Sequence, residues 1–207
     1  MTVLRVGVLD YGVGNIASIQ NSLNYLDVDQ LRVTEARHMR KCSHLILPGV
    51  GAFASGMSKF LASSLQEQLA HEVLTQGKPL LGICLGMQMF ADFGYEFGVH
   101  SGLGLVPGKV VELDSRKFGL QLPHIGWSTV SLNANLKLLK DFNVNPEFYF
   151  LHSFHLKPIE MANTALCNYG EDFVAIIESN NVFGTQFHPE KSQKNGLLIL
   201  RNFTTVS

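Results

Sequence analysis

The sequence predicts an α/β fold: a mainly parallel sheet with helices on both faces and an added antiparallel segment. Three observations carry this. Short, often β-branched apolar runs alternate with helix-length stretches through the first half of the chain. After Val106 the pattern changes to short strand-like runs separated by Gly, Pro and Asn. A length of 207 residues, 46% of them hydrophobic, is enough for one sizeable core. In order, Leu4–Leu9 reads as a strand and Ile16–Leu26 as a helix, with Ile16, Ile19, Leu23 and Leu26 at helical spacing. Leu45–Leu47 is the next strand and Met57–Gln76 the next helix; Pro79–Ile83 and Leu85–Phe93 form a third pair. Strand-helix alternation of this kind implies right-handed βαβ units. Beyond them Val106–Leu113, Trp127–Leu132, Phe148–Leu151, Val174–Ile177 and Val182–Phe187 are expected as a meander added to the sheet, closed by a helix over Gln193–Phe203. With no repeat, low-complexity tract or long linker, residues 1–207 are expected to form one domain.

Composition excludes several classes of function. The formal net charge of −1, from 16 basic and 17 acidic residues, leaves no electrostatic footprint for nucleic acid. The apolar stretch within Met1–Asp10 is broken by Arg5 and lacks a small-residue cleavage site, and no apolar run approaches the length of about 18 residues needed to span a bilayer. Three widely spaced cysteines suit neither a disulfide framework nor a paired CxxC metal site, so the expectation is a soluble, cytoplasmic protein acting on small molecules or other proteins.

The most informative local feature is Gly82-Ile83-Cys84-Leu85-Gly86, directly after the apolar run Pro79-Leu80-Leu81. A strand that turns sharply into a helix needs glycines around the turn residue, because neighbouring backbone crowds it there. Cys84 would be held out in the open, and the positive end of a helix dipole favours its thiolate. Cys42 and Cys167 lack such flanks and read as ordinary core thiols. A thiol nucleophile needs a base. Phe187-His188-Pro189-Glu190 ends a strand-like run and places a carboxylate two residues after an imidazole, on the same face if the segment is extended. Cys84, His188 and Glu190 thus form a candidate triad, and Pro48-Gly49-Val50-Gly51, with the amide of Leu85, a candidate oxyanion site.

Two rival readings exist. Gly12-Val13-Gly14-Asn15-Ile16-Ala17 matches G-x-G-x-x-A, with Asp29 or Glu35 downstream, as in dinucleotide-binding domains. That reading leaves Cys84, His188 and Glu190 without a role, and Tyr11 would crowd the turn. His152 and His155 lie three apart in a strand-like run with no further ligand nearby, so they are expected to line a site or to be structural, and no metal or cofactor is expected.

Together Gly82–Gln88, Pro48–Gly51 and Phe187–Glu190 resemble the class I, triad-type glutamine amidotransferases. More narrowly, Tyr11–Asn15, Pro123–Trp127, Phe150–Phe154 and His188–Ser192 resemble the glutaminase subunits of imidazole glycerol phosphate synthase, from about Val6 to Phe203. The resemblance implies a flavodoxin-like glutaminase whose thiolate attacks the glutamine side-chain amide. It implies oxyanion donors at Val50, Gly51 and Leu85, glutamine contacts at Gly49, Gln88, Glu96 and Ser153, and a (β/α)8-barrel cyclase as heterodimer partner, fed with ammonia for histidine biosynthesis. Asn15, Trp127, Tyr149 and Lys191 match positions near that partner interface. Two departures stand out: Gly94-Tyr95-Glu96 where the family usually has Ser-Glu-Glu, and Phe154 where it commonly has Tyr. The alternatives still open are a paralogue supplying ammonia for amidination of surface-polysaccharide sugars, a dinucleotide-binding domain and a catalytically silent interaction protein.

Overall fold

Period-two alternation decides which strand residues face which helical layer. The computed structural model describes residues 4–133, 135–161 and 163–206, so of the segment Met1–Asp10 only 4–10 are described. In chain order the elements of the first half are β1 (Val6–Leu9), α1 (Ile16–Tyr25), β2 (Gln30–Val33), β3 (His44–Leu47), α2 (Phe53–Ala62), α3 (Gln66–Ala70), β4 (Leu80–Ile83) and α4 (Leu85–Gln88). The second half adds β5 (Phe93–Gly94), β6 (His100–Ser101), β7 (Gly108–Glu112), β8 (His124–Thr129), β9 (Glu147–His152) and β10 (Phe154–Pro158). It closes with β11 (Thr164–Tyr169), β12 (Glu171–Ser179), β13 (Val182–Thr185) and α5 (Gln193–Phe203).

The central sheet has seven strands in the order β11-β12-β13-β4-β3-β1-β2. Its β2, β1, β3, β4 and β13 are mutually parallel, while β12 runs antiparallel to both β13 and β11. Val6, Val8, Ile46, Leu81 and Ile83 project into one hydrophobic cluster, shared with Ile19 and Leu23 of α1 and Ile199, Leu200 and Phe203 of α5. Their neighbours Leu9, Leu45, Leu47 and Leu80 enter a second cluster with Phe53, Met57 and Phe60 of α2 and Leu69 of α3. Both faces of the parallel strands are therefore covered, as such a sheet requires. No helix among the described residues is long and apolar enough to cross a membrane.

The expected meander is divided among three sheets. Only β11 and β12 extend the central sheet in antiparallel fashion, and β13 belongs to its parallel core beside β4. The strands expected at Val106–Leu113 and at Trp127–Leu132 with Phe148–Leu151 build separate sheets, β10-β7-β5-β6 and β8-β9. β2 is a short edge strand in which only Val33 is buried, so its pattern carries little signal. The helix expected over Met57–Gln76 starts earlier, at Phe53, and breaks where Ser64 takes φ 59°. After α3 it widens into a π-helical turn over His71–Thr75. The helix expected to reach Phe93 ends as an α-helix at Gln88, because tertiary hydrogen bonds claim the carbonyls that follow. Leu103 N–H donates to Met89 O, Leu105 and Val106 to Phe90 O, and Gly104 to Ala91 O.

Candidate active site

The C-terminal ends of β3, β4 and β13 meet at Cys84. Its backbone sits at φ 53° and ψ −108°, a conformation costing about 1–3 kcal/mol that surrounding structure must impose. Two contacts impose it. Cys84 N–H donates to Thr185 O at 2.7 Å, tying the turn to β13. On the other side the first turn of α4 lies so close to β3 that a Cβ on Gly86 would come within 1.8 Å of Leu47 O. The elbow expected from paired glycines is thus built by close backbone approach. Because α4 is only four residues long, its dipole is smaller than a full helix would supply, and the main positive partner of Cys84 is a side chain.

That side chain is His188. Its N–H donates to Tyr149 O at 3.0 Å, and its carbonyl accepts from Ser192 Oγ at 2.7 Å. Glu190 Oε1 accepts from its Nδ1 at 2.9 Å, with both side chains almost fully buried. The segment is not extended as expected: Pro189–Lys191 forms a 3-10 turn, and it is this turn that folds the carboxylate back onto the ring. Nε2, buried and without a close hydrogen-bond partner, faces the Cys84 sulfur. Burial opposes a charge on this ring, but the adjacent Cys84 and Glu190 outweigh it and push the imidazole pKa up to about 10. The resting His188 ring is therefore held charged where it faces the Cys84 sulfur. Burial pushes the Cys42 thiol up and the Cys167 thiol up to about 12.

Cys84 and His188 open into a cavity of about 380 Å³ lined also by Val50, Gly51, Leu85, Gln88, Glu96, Ser153 and Pro123. Glu190 stands behind His188 and does not line it. Nor does Gly49, expected as a glutamine contact: it packs behind the cavity wall against Leu85 and Tyr11. Glu96 Oε2 accepts from Phe53 N–H at 2.7 Å, which steadies this carboxylate at the cavity edge and caps α2. Gly94 lies against the Phe53 ring, where a Cβ would come within 2.4 Å, so the departure at Gly94-Tyr95 makes room for an aromatic residue of α2.

Of the four expected interface positions, Trp127, Tyr149 and Lys191 lie together. The Trp127 and Tyr149 rings lie 6.2 Å apart and Lys191 Nζ sits 5.8 Å from the Tyr149 ring centre, with Trp127 about half exposed. Asn15 lies at the start of α1, which packs against the Pro189–Lys191 turn that carries Lys191. Ser192 Oγ, accepting from Tyr149 N–H at 3.0 Å while donating to His188 O, links this surface to the imidazole.

Three further groups surround the site: Tyr11, the pair His152 and His124, of which His152 lines the cavity as expected of a site-lining histidine, and Gln186, which carries no signal in the sequence. Tyr11 is buried and donates its hydroxyl to Pro48 O at 2.7 Å, fixing the strand end that carries Val50. Burial, reinforced by the Cys84 charge, raises its pKa and keeps it a donor. Gly14 packs against Pro48, so the glycine loop expected of a dinucleotide site here supports the wall of the cavity. His152 Nδ1–H donates to Phe154 O at 3.0 Å, leaving Nε2 to accept from His124 Nδ1–H at 3.3 Å; His124 Nε2 in turn accepts from Ser128 at 2.9 Å. Burial lowers these imidazoles to about 3 and about 4, so both are neutral hydrogen-bonding groups. No cluster of three or more metal-ligating side chains occurs among the described residues. The third group, Gln186, is fully buried beside Cys84.

Residues 8–206 match the profile of the family described as Glutamine amidotransferase class-I. The chain is 40% identical over 204 residues to the imidazole glycerol phosphate synthase subunit HisH of Leptospira interrogans, covering 97% of this chain and 100% of the relative. It is 39% identical over 204 residues to the subunit HisH of Leptospira borgpetersenii, with the same coverage. Among solved structures, that of PurLQS from Thermotoga maritima superposes with a TM-score of 0.72 at 20% identity, over 97% of each chain. A glutamine amidotransferase from the same organism superposes with a TM-score of 0.68 at 18% identity, over 94% of this chain and 80% of the other.

Proposed function

The chain belongs to the class-I glutamine amidotransferases, enzymes that hydrolyse glutamine, and on that premise we propose that it is the glutaminase subunit of an imidazole glycerol phosphate synthase. It acts in the cytoplasm and passes ammonia to a (β/α)8 cyclase. The observation that carries the catalytic reading is the Cys84 sulfur facing His188 Nε2 at one cavity, with Glu190 on the far side of the ring.

The roles follow from charge. The Cys84 thiolate attacks the side-chain carbonyl carbon of glutamine, and the oxyanion that forms is met by the amides of Leu85 and of the Val50-Gly51 segment. The His188 imidazolium gives its proton to the departing ammonia as the C–N bond breaks, leaving a thioester and a neutral ring. That ring takes a proton from water as water attacks the thioester; the C–S bond breaks, glutamate leaves, and thiolate and imidazolium are restored. Glu190 holds the ring and stabilises its cation without moving a proton. Gln88, Glu96 and Ser153 hold the amino-acid head, and Trp127, Tyr149 and Lys191 face the partner.

A glutamine analogue with an electrophilic carbon is expected to label Cys84 and neither Cys42 nor Cys167, whose thiols are held protonated by burial. Cys84→Ala should abolish glutaminase activity in a folded protein; label on another cysteine would overturn the assignment. Complementation of a histidine auxotroph lacking this subunit, with a matched cyclase supplied, tests the pathway. No growth, with ammonia delivered instead to a sugar amidination system, would move the chain to the polysaccharide-linked paralogue.

A further inference from the structure

Gln186 has no part in the triad, yet it is fully buried and its Nε2 lies 3.7 Å from the Cys84 sulfur. An amide side chain is directionless until its neighbours choose between nitrogen and oxygen. Here an unambiguous acceptor makes the choice. Phe154 O can only accept, and the Gln88 side chain approaches it at 2.7 Å, so the Gln88 atom there is Nε2. That same Nε2 lies 3.2 Å from the Gln186 amide, which must present its oxygen to it. The NH2 of Gln186 is left facing sulfur. The backbone cannot swing away, because Gln186 N–H donates to Ala175 O at 2.9 Å within the sheet.

We propose that Gln186 is a positioning residue for the nucleophile: its side-chain N–H holds the Cys84 sulfur toward the cavity and supports the negative charge that returns to it as the thioester collapses. A hydrogen bond to a charged acceptor favours the charged form. The bond therefore matters least in the thioester, where sulfur is neutral, and most at its collapse, when the C–S bonding pair returns to sulfur in a cavity that offers it little water. Cys84 is only 5% exposed, so the returning charge depends on nearby protein donors, His188 and the Gln186 amide among them. The role in turnover rests on the glutaminase reading; the bond to sulfur does not.

The test uses Gln186→Met, which keeps length and packing but lacks the donor, and Gln186→Glu, nearly isosteric, which places a carboxylate against the sulfur and serves where the first variant fails to fold. Iodoacetamide alkylation of the Cys84 peptide is followed by mass spectrometry across pH, alongside glutaminase kcat and KM. Alkylation of Gln186→Met is expected to be about tenfold slower than parent at neutral pH, with the gap closing at high pH, because a charged hydrogen bond contributes roughly a factor of ten or more. Gln186→Glu should be slower still at neutral pH. Turnover should fall about tenfold in kcat with KM changed less than about twofold. An alkylation profile that superimposes on the parent's overturns the proposal. So does a rise in KM alone, which would make Gln186 a prop for Gln88. If the parent's Cys84 ignores the electrophilic glutamine analogue, the glutaminase reading fails, while the iodoacetamide comparison still decides whether Gln186 acts on sulfur.

Discussion

His188 is held charged where almost no water reaches it, because the Cys84 sulfur and the Glu190 carboxyl flank the ring on opposite sides. Desolvation alone would keep the ring neutral; the Cys84 sulfur contributes most to reversing that, and Glu190 adds a hydrogen bond and its own charge. The expected result is an imidazole titration by NMR with a midpoint near 10 in the parent, lowered by Glu190→Gln and lowered further by Cys84→Ala. Unchanged midpoints in both variants would remove the ion triad. The sign for stability follows from linkage: the folded value lies above the unfolded value of 6.5, so the contribution of His188 is fully present below pH 6.5 and is lost as pH rises through about 10. At this scale the sequence was informative. Cys84 and His188 were legible because each sits at a glycine- or proline-marked strand end. Gln186 was not, since nothing in Thr185-Gln186-Phe187 says which way an amide in a buried strand extension will turn.

At the scale of elements, the β4-to-α4 elbow depends on two backbones meeting. A Cβ on Gly86 would meet the carbonyl of Leu47, which belongs to β3 and cannot rotate away as a flexible side chain can. Gly86→Ala is therefore expected to destabilise the protein by more than about 2 kcal/mol, because backbone rather than side chain must shift. Thermal melting checks this, and a parent-like midpoint would show that the elbow can relax. The same element shows where periodicity misleads. Leu85–Phe93 looks helical throughout, but the amides of Leu103–Val106 take its later carbonyls, and a competitor that far along the chain leaves no local trace. The Met57–Gln76 pattern fails for a related reason: apolar spacing continues across Ser63-Ser64 while Ser64 adopts a positive φ.

At the scale of the molecule, the surface bearing Trp127, Tyr149 and Lys191 is joined to the candidate base through Ser192 and the Tyr149 backbone. A glutaminase that feeds ammonia to another active site wastes glutamine if it works alone, so the isolated chain is expected to hydrolyse glutamine slowly and to accelerate at least tenfold when a matched (β/α)8 cyclase binds. Lys191→Ala or Trp127→Ala should uncouple hydrolysis from cyclised product while external ammonium still supports the cyclase. Full activity without any partner would point to a stand-alone hydrolase. The sequence by itself determined the α/β class, the strand ends that carry Cys84 and His188, and the candidate triad, because glycine and proline restrict backbone locally and alternation fixes which side chains a strand buries. Tertiary structure alone decided that β13 joins the parallel core beside β4, that β8 and β9 leave the central sheet, and that Gln186, Tyr11 and Ser192 surround the site. Those outcomes rest on hydrogen bonds between residues tens of positions apart, whose partners are chosen only when whole strands compete for the same sheet edge.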